Sequence, residues 1–400
     1  MERFDVVVVG AGLSGLRIGG SLARAGLSVL VADRKTNPAH RVHTTGIFVR
    51  RTLESFPLPE TCLGPPIRQV TLFSPSGRRA TFRSHHEEFR IGRMAALYQL
   101  ELHAATDAGA TWAPGRTFEG IDCLHRDTLV ELREQDGRAR IVRTRFLVGA
   151  DGTFSPVARA LRLDRNVQWL AATELVYTGL TLECEPQLMC FLDPRLAPGY
   201  IGWVAYDGHE AHVGVGGLAG RFDPAPGLGK FLGKAAAQLA RDRVLSDPAT
   251  FSAVGGQSRG GCIPVGGMLR RIACTRGLLV GDAAGAPSPL TAGGLDPCFR
   301  LSAVAVEAIV HHLVHDDQRA LAAYSGDRFR PRFKSRLLMR RALTALDDPR
   351  LVEAVCLSLR IFPGSTIARS VLFGPNSFPG RPNAALPTAT LAWHPSTGAR

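Results

Sequence analysis

The stretch Asp5-Val6-Val7-Val8-Val9-Gly10-Ala11-Gly12-Leu13-Ser14-Gly15 decides the fold. Four consecutive valines predict a strand buried on both faces, because β-branched side chains suit a pleated interior and no polar residue interrupts them. A glycine turn follows at once, and Ser14 to Ala25 then carries apolar residues at helical spacing. A strand, a Gly-x-Gly-x-x-Gly turn and a helix, in that order, make a phosphate site. Gly10 allows the tight turn, Gly12 lets a pyrophosphate reach the backbone, and Gly15 lets helix and strand pack closely, while Leu13 and Ser14 offer early helical amides to the anion. A second strand, Ser28 to Ala32, ends at Asp33-Arg34, where a carboxylate can accept the ribose hydroxyls of an adenosine. The stretch therefore announces a dinucleotide, and NAD and FAD share this fingerprint.

Outward from it the pattern changes. Val70-Thr71-Leu72-Phe73 and Ala80-Thr81-Phe82 flank a Ser-Pro-Ser-Gly turn and predict a hairpin. Met94 to Ala108 predicts a helix, and Phe146-Leu147-Val148-Gly149 a buried strand that returns to the first fold. Glu174 to Leu182, Gln187 to Leu192, Tyr200 to Tyr206 and Ala211 to Val215 predict an antiparallel set. A helix over Gly229 to Arg241, a strand over Gly277 to Val280 and a long helix, with Asp296 at its N-cap and Pro297 at its first position, complete the series. The expected organisation is α/β. A discontinuous nucleotide-binding domain takes 1–68, 93–165 and 260–325, a substrate domain takes 69–92 and 166–259, and a helical cap with a Pro- and Gly-rich tail takes 326–400.

Composition narrows the class. The 400 residues are 45% hydrophobic and 21% charged, which excludes disorder and a collagen-like chain. Uninterrupted apolar runs are strand-sized, so no membrane span is expected, and the N-terminus lacks a signal-peptide pattern, so a cytoplasmic location is expected. The eight cysteines are dispersed and give no metal-ligand spacing, so no metal is expected. Forty-eight Lys and Arg against 35 Asp and Glu give a net charge of +13, which favours anionic partners. Seven basic residues and no acid lie between Arg328 and Arg341, and only Phe329 and Phe333 interleave as aromatics. Nucleic acid is therefore not the expected partner. The segment 328–341 is instead a candidate for peripheral contact with a membrane surface.

Two further motifs choose between the dinucleotides. Val148-Gly149-Ala150-Asp151-Gly152-Thr153-Phe154-Ser155-Pro156-Val157-Ala158-Arg159 resembles the DG motif, and Gly277-Leu278-Leu279-Val280-Gly281-Asp282-Ala283-Ala284-Gly285 the GD motif, of the geranylgeranyl reductase and aromatic hydroxylase (p-hydroxybenzoate hydroxylase-like) superfamily of flavoproteins. With the first glycine turn, the resemblance covers residues 4 to 325. It implies a Rossmann-like FAD-binding domain of the GR2 type with an inserted antiparallel-sheet substrate domain and C-terminal helices. It also implies that Gly281 and Asp282 meet the ribityl chain. The loop Pro289 to Leu295, through Gly293 and Gly294, would bring bare backbone against the flavin, with Thr45 and Gly46 near its reactive face. Arg93 would reach the FAD pyrophosphate and Asp151 would serve the same region.

Within that superfamily the segment Gly199 to Tyr206, followed by His212 to Gly216, resembles the substrate-site strand pair of the reductase branch, which makes Tyr200 and Trp203 candidate substrate contacts. The reaction implied is NAD(P)H-linked reduction of a carbon-carbon double bond in a hydrophobic, isoprenoid-like molecule. His43, Tyr200 and Tyr206 are the candidate proton sources, and histidine has the most suitable ordinary pKa. Two alternatives stay open: a flavin monooxygenase acting on an aromatic or polyketide substrate, and a flavin-binding protein without turnover. No second glycine-rich nucleotide unit is present in the sequence, so the nicotinamide is expected to bind transiently over the flavin.

Overall fold

The computed structural model describes residues 1–247, 249, 251, 255–361 and 364–373. The valine run forms the strand Arg3–Val9, with Val6, Val7 and Val8 fully buried. This strand pairs in parallel with Val29–Asp33 on one side and Ala139–Gly149 on the other, and the latter pairs in parallel with Gly277–Leu279. The registers Val9 to Ala32, Val9 to Gly149 and Gly149 to Leu279 align the carboxyl ends of all four strands. Gly10, Asp33, Ala150 and Val280 therefore meet at one edge of the sheet, the edge where open parallel sheets bind their ligands. The helices Leu13–Arg24 and Leu295–Val314 pack against each other beside this edge. An antiparallel ribbon, Thr117–Cys123 and Thr128–Arg133, extends the sheet along the first half of Ala139–Gly149.

A second sheet has seven strands in the spatial order Gln257–Pro264, Trp169–Thr178, Glu210–Leu218, Gly202–Tyr206, Gln187–Phe191, Gln69–Phe73, Arg79–Arg83. All neighbours are antiparallel except Gln187–Phe191 with Gln69–Phe73. The period of two gives it two unlike faces. Met189, Phe191, Val204, Tyr206, Val213 and Val215 pack with Phe231, Ala235 and Leu239 of the helix Pro224–Arg241. Gly202 makes that packing possible, since a Cβ there would stand 2.2 Å from the Phe231 ring. The opposite face turns Leu188, Cys190, Trp203, Ala205 and Glu174 toward the nucleotide-binding part. A three-stranded sheet of Ile47–Val49, Phe89–Gly92 and Leu63–Ile67 lies beside it.

Phe89–Gly92, in the segment 69–92 assigned to the substrate domain, pairs with Ile47–Val49 and Leu63–Ile67, and the strand Gln257–Pro264 spans position 260. The long helix begins at Leu295 with Gly294 at its N-cap. Asp296 is not the cap, because its carboxylate turns inward to accept from Thr52 Oγ1 at 2.7 Å and Arg300 Nε at 3.0 Å. That helix is long and apolar enough to cross a bilayer, and half of its apolar window is buried in the protein. The C-terminal helices Lys334–Ala345, Pro349–Ser358 and Gly364–Phe373 form the cap, and the tail from Gly374 lies outside the described residues. The basic run does not form one surface stripe. Arg330 donates to the Met268 carbonyl at 2.7 Å, Arg336 donates to Ser288 Oγ at 2.9 Å and Arg340 is buried, while Arg328, Lys334 and Arg341 remain exposed.

Candidate active site

The three glycine-containing motifs meet in space. A Cβ on Gly10 would lie 2.2 Å from the Ala150 carbonyl oxygen, and one on Gly15 would lie 1.8 Å from the Gly10 oxygen and 3.2 Å from the Ala150 side chain. One on Gly281 would lie 2.7 Å from Ser14 Oγ, which is also 2.9 Å from Cys298 Sγ. Gly10 needs its glycine doubly, since its φ of 103° is unsuited to an L side chain. Gly12 differs, because nothing stands within 4 Å of its missing Cβ and the residue lines a cavity.

That cavity has a volume of about 930 Å³, near the upper end of small-molecule sites. It runs from Gly10 to Ser14 and Asp33, past Thr45, Gly46, Asp282 and Gly293 to Leu295, and along the Trp203 face of the seven-stranded sheet. Met339, Leu343, Leu346, Val355, Leu359 and Phe373 of the cap helices line it further. One end is thus polar and glycine-rich, and the other is apolar. Arg34, Asp151, Gly281, Tyr200 and His43 line it too. Gly15 lies behind the turn as a packing residue, and Pro289 is buried close to Gly267 instead of lining the cavity.

Asp33 is already engaged, with Oδ2 accepting from the Ala11 amide at 2.6 Å and Oδ1 from the Lys35 amide at 2.8 Å. These bonds fix the carboxylate beside the turn and leave lone pairs free on both oxygens. Asp151 accepts from Ser155 Oγ at 2.6 Å and the Val157 amide at 3.0 Å, and burial still pushes its carboxyl up to about 6. Asp282 lines the cavity and, among the described residues, no group donates to its carboxylate. Burial pushes this acid up to about 6 as well.

Three expected roles are corrected. Arg93 does not line the cavity; its guanidinium is held by Asp207 and Glu210, both at 2.8 Å. Tyr206 belongs to the packed face of the sheet, where its hydroxyl accepts from the Leu182 amide and donates to the Gly208 carbonyl, both at 3.3 Å. Alternation puts Trp203 and Ala205 on the cavity side, so Tyr206 has to face away. His43 does line the cavity, but burial, with Lys35, Arg34 and Arg259 nearby, lowers its pKa, which leaves a ring that is neutral at pH 7 and a poor acid. Tyr200 stays at the site, and its hydroxyl donates to the Thr291 carbonyl at 2.8 Å while burial raises its pKa.

Glu174 was not singled out by the sequence reading as a site residue. It is 4% exposed, lines the cavity, and accepts from Thr45 Oγ1 at 2.7 Å and Trp203 Nε1 at 3.1 Å. Trp203, Gly214 and Glu174 form one row across three strands, and a Cβ on Gly214 would lie 2.4 Å from the indole and 2.6 Å from Glu174 Cβ. Gly214 is therefore what lets the indole cross the middle strand to reach the carboxylate. The available signal was a single acid among the apolar residues of Trp169–Thr178.

These features fit FAD. The turn and the start of Leu13–Arg24 can hold a pyrophosphate, Asp33 a ribose, the unpartnered Asp282 carboxylate a ribityl hydroxyl, and the Gly293-Gly294 backbone a flat ring. Residues 3–178 match the FAD binding domain family. The chain is 29% identical over 362 residues to a digeranylgeranylglycerophospholipid reductase of Methanopyrus kandleri, covering 88% of this chain and 93% of that protein. A geranylgeranyl bacteriochlorophyll reductase-like protein from Thermoplasma acidophilum has the same fold, with a TM-score of 0.78 at 18% identity over 94% of this chain and 98% of that one. A probable FAD-dependent monooxygenase from Pseudomonas aeruginosa aligns with a TM-score of 0.63 at 20% identity over 88% of this chain and 99% of that one. Residues 3–178 are thus an FAD-binding domain, and the chain is an FAD-dependent oxidoreductase similar in sequence to a geranylgeranyl-lipid reductase and alike in fold to a flavin monooxygenase.

Proposed function

We propose that the protein reduces carbon-carbon double bonds in a hydrophobic, isoprenoid-like chain, with NAD(P)H as the electron source. The observation that carries this reading is the single cavity whose polar end is the dinucleotide turn and whose far end is lined by Leu343, Leu346, Leu359 and Phe373. An apolar recess of this kind suits a long hydrocarbon chain better than a compact polar aromatic. The name of the Methanopyrus kandleri relative supports the same substrate class.

Bound FAD supplies a two-electron centre that can pass hydride to an alkene carbon. The chain's own residues do the rest. The amides at the start of Leu13–Arg24 and Asp33 anchor the nucleotide half, and Asp282 with the Gly293-Gly294 backbone fixes the position of the ring. Trp203 and Tyr200 border the place where the alkene would lie, and apolar residues of the cap helices line the recess beside it. The nicotinamide would enter through the same cavity. The reading also makes the protein a cytoplasmic one in peripheral contact with the membrane. Leu338, Leu351, Ile361 and Ile367 of the cap region are exposed, with Arg328, Lys334 and Arg341 nearby in the chain.

The test is anaerobic. NADH or NADPH should bleach the flavin absorbance, and a phospholipid with geranylgeranyl chains in detergent micelles should restore it while gaining two hydrogens per turnover. A product that gains one oxygen in air, and no reduction without air, would replace this reading with monooxygenation.

A further inference from the structure

Beyond the cavity wall, Glu174 continues into a chain of polar side chains. Its Oε2 is held by Thr45 and Trp203, and among the described residues its Oε1 has no other partner than His212 Nδ1, which faces it at 3.6 Å. His212 is 1% exposed, and its Nε2 lies 3.3 Å from Glu210 Oε2. The Glu210 side chain is 23% exposed and is bound to Arg93, which also holds the fully buried Asp207. The sheet register explains the alignment. Glu174 and Val176 share a face, Val176 stands opposite His212, and Glu210 lies two residues back along the same strand and on the same side. Carboxylate, imidazole and carboxylate thus lead along this face of the sheet from the cavity wall toward solvent.

We infer that His212 stores the proton of the cavity as an imidazolium, that Glu174 relays it to the substrate, and that Glu210 links the ring to solvent; this rests on the reduction reading above. Reducing an alkene needs one hydride and one proton. The hydride, with its electron pair, would come from FAD reduced by NAD(P)H, and the proton passes from His212 Nδ1 to the Glu174 carboxylate and from there to the other carbon. Loss of the Nδ1 proton leaves a neutral ring with its proton on Nε2, so the ring turns over to bring the bare nitrogen to Glu210, takes a proton there that solvent replaces, and is an imidazolium again. No other oxidant or reductant is consumed.

The charges around the ring support this storage role. Burial opposes the charged form of His212, but Glu174 on one strand and Glu210 on its own strand outweigh it and raise the pKa. Burial likewise opposes a charged Glu174, and His212, Thr45 and Trp203 outweigh it. Arg93 and Arg259 act on Glu210 from the far side, where Asp207 partly balances Arg93. The contact of 3.6 Å is too long for a hydrogen bond at rest, so Glu174 and His212 must approach for each transfer.

The experiment combines two readouts. In single turnovers of dithionite-reduced holoenzyme with the geranylgeranyl phospholipid, Glu174→Ala should slow flavin reoxidation by about a hundredfold to ten-thousandfold, the usual worth of general acid catalysis. Formate, which can enter the open cavity, should restore part of the rate, Glu174→Asp should keep much of it, and Glu210→Gln should lower kcat without raising KM. A loss under about threefold for Glu174→Ala, or a loss that appears in KM and ignores formate, overturns the inference. Independently, histidine-labelled full-length protein, with and without FAD, should show by NMR a His212 ring that titrates above the ordinary imidazole range and falls with Glu174→Gln and with Glu210→Gln. A ring that titrates at or below that range overturns the inference too. If wild type reduces no lipid while the NMR shifts hold, it is the substrate reading that fails.

Discussion

Replacing Asp282 by Asn should make the FAD-free protein more stable and the FAD complex weaker. In the folded chain this carboxyl is pushed up to about 6 from an ordinary 3.8, by burial alone. The difference of about two units, at 1.36 kcal/mol each, means that charged Asp282 costs the empty protein about 3 kcal/mol at neutral pH. The sign follows from proton counts. Between pH 4 and 6 the folded state holds more of this proton than the unfolded state, so the contribution to stability falls as pH rises and levels off above the folded pKa. Asn carries no charge and removes the slope. Equilibrium urea unfolding of FAD-free wild type and Asp282→Asn should therefore coincide near pH 4 and diverge by about 3 kcal/mol at pH 8. Flavin fluorescence titrations should show the reverse order. Loss of a charged acceptor, about 1.5–3 kcal/mol, weakens FAD binding by about tenfold to a hundredfold. A variant no more stable than wild type at pH 8, or one whose advantage persists unchanged at pH 4, would refute the reasoning.

Gly214→Ala should drive the Trp203 indole off Glu174, since the new methyl would lie 2.4 Å from the ring; overpacking of this kind costs about 1–3 kcal/mol, and urea unfolding should register it beside a shift in tryptophan emission. Arg93→Ala leaves buried Asp207 and half-buried Glu210 without their cation and should cost about 2–4 kcal/mol, while the FAD dissociation constant stays within about threefold of wild type. A collapse of FAD affinity would instead return Arg93 to the pyrophosphate. Tyr206→Phe should lose about 1 kcal/mol of stability with turnover unchanged, as befits a hydroxyl on the packed face; a large fall in kcat would put it back among the proton sources.

The nucleotide end was readable because its physics is local. Val6 to Gly15 carry strand, turn and helix start within a few residues, and the DG and GD motifs supply the same kind of short signal. The sequence also indicated antiparallel strands and, from Gly229 onward, the helix that the structure extends back to Pro224, from alternation and apolar spacing. Where the reading failed, the deciding partner was remote. Arg93 looks free in sequence, but Asp207 and Glu210 come to it from more than a hundred residues away. Asp296 has the chemistry of an N-cap, yet Thr52 and Arg300 draw it inward. Glu174 reads as an ordinary strand residue until pairing with Glu210–Leu218 brings His212 beside it. Arg330, Arg336 and Arg340 add to a charge run that cannot reveal which members fold inward.

The seven-stranded sheet assigns neighbouring residues of one strand to opposite tasks. In Gly202–Tyr206, Trp203 and Ala205 border the cavity while Val204 and Tyr206 hold the sheet to its helix. Natural drift or a laboratory library restricted to Leu72, Leu188 and Cys190 can therefore remould the recess for a new ligand and leave the helix-packed side of the sheet intact. A one-residue insertion in any of these strands has no such freedom, because it exchanges the two sets at once and forfeits selectivity and stability together.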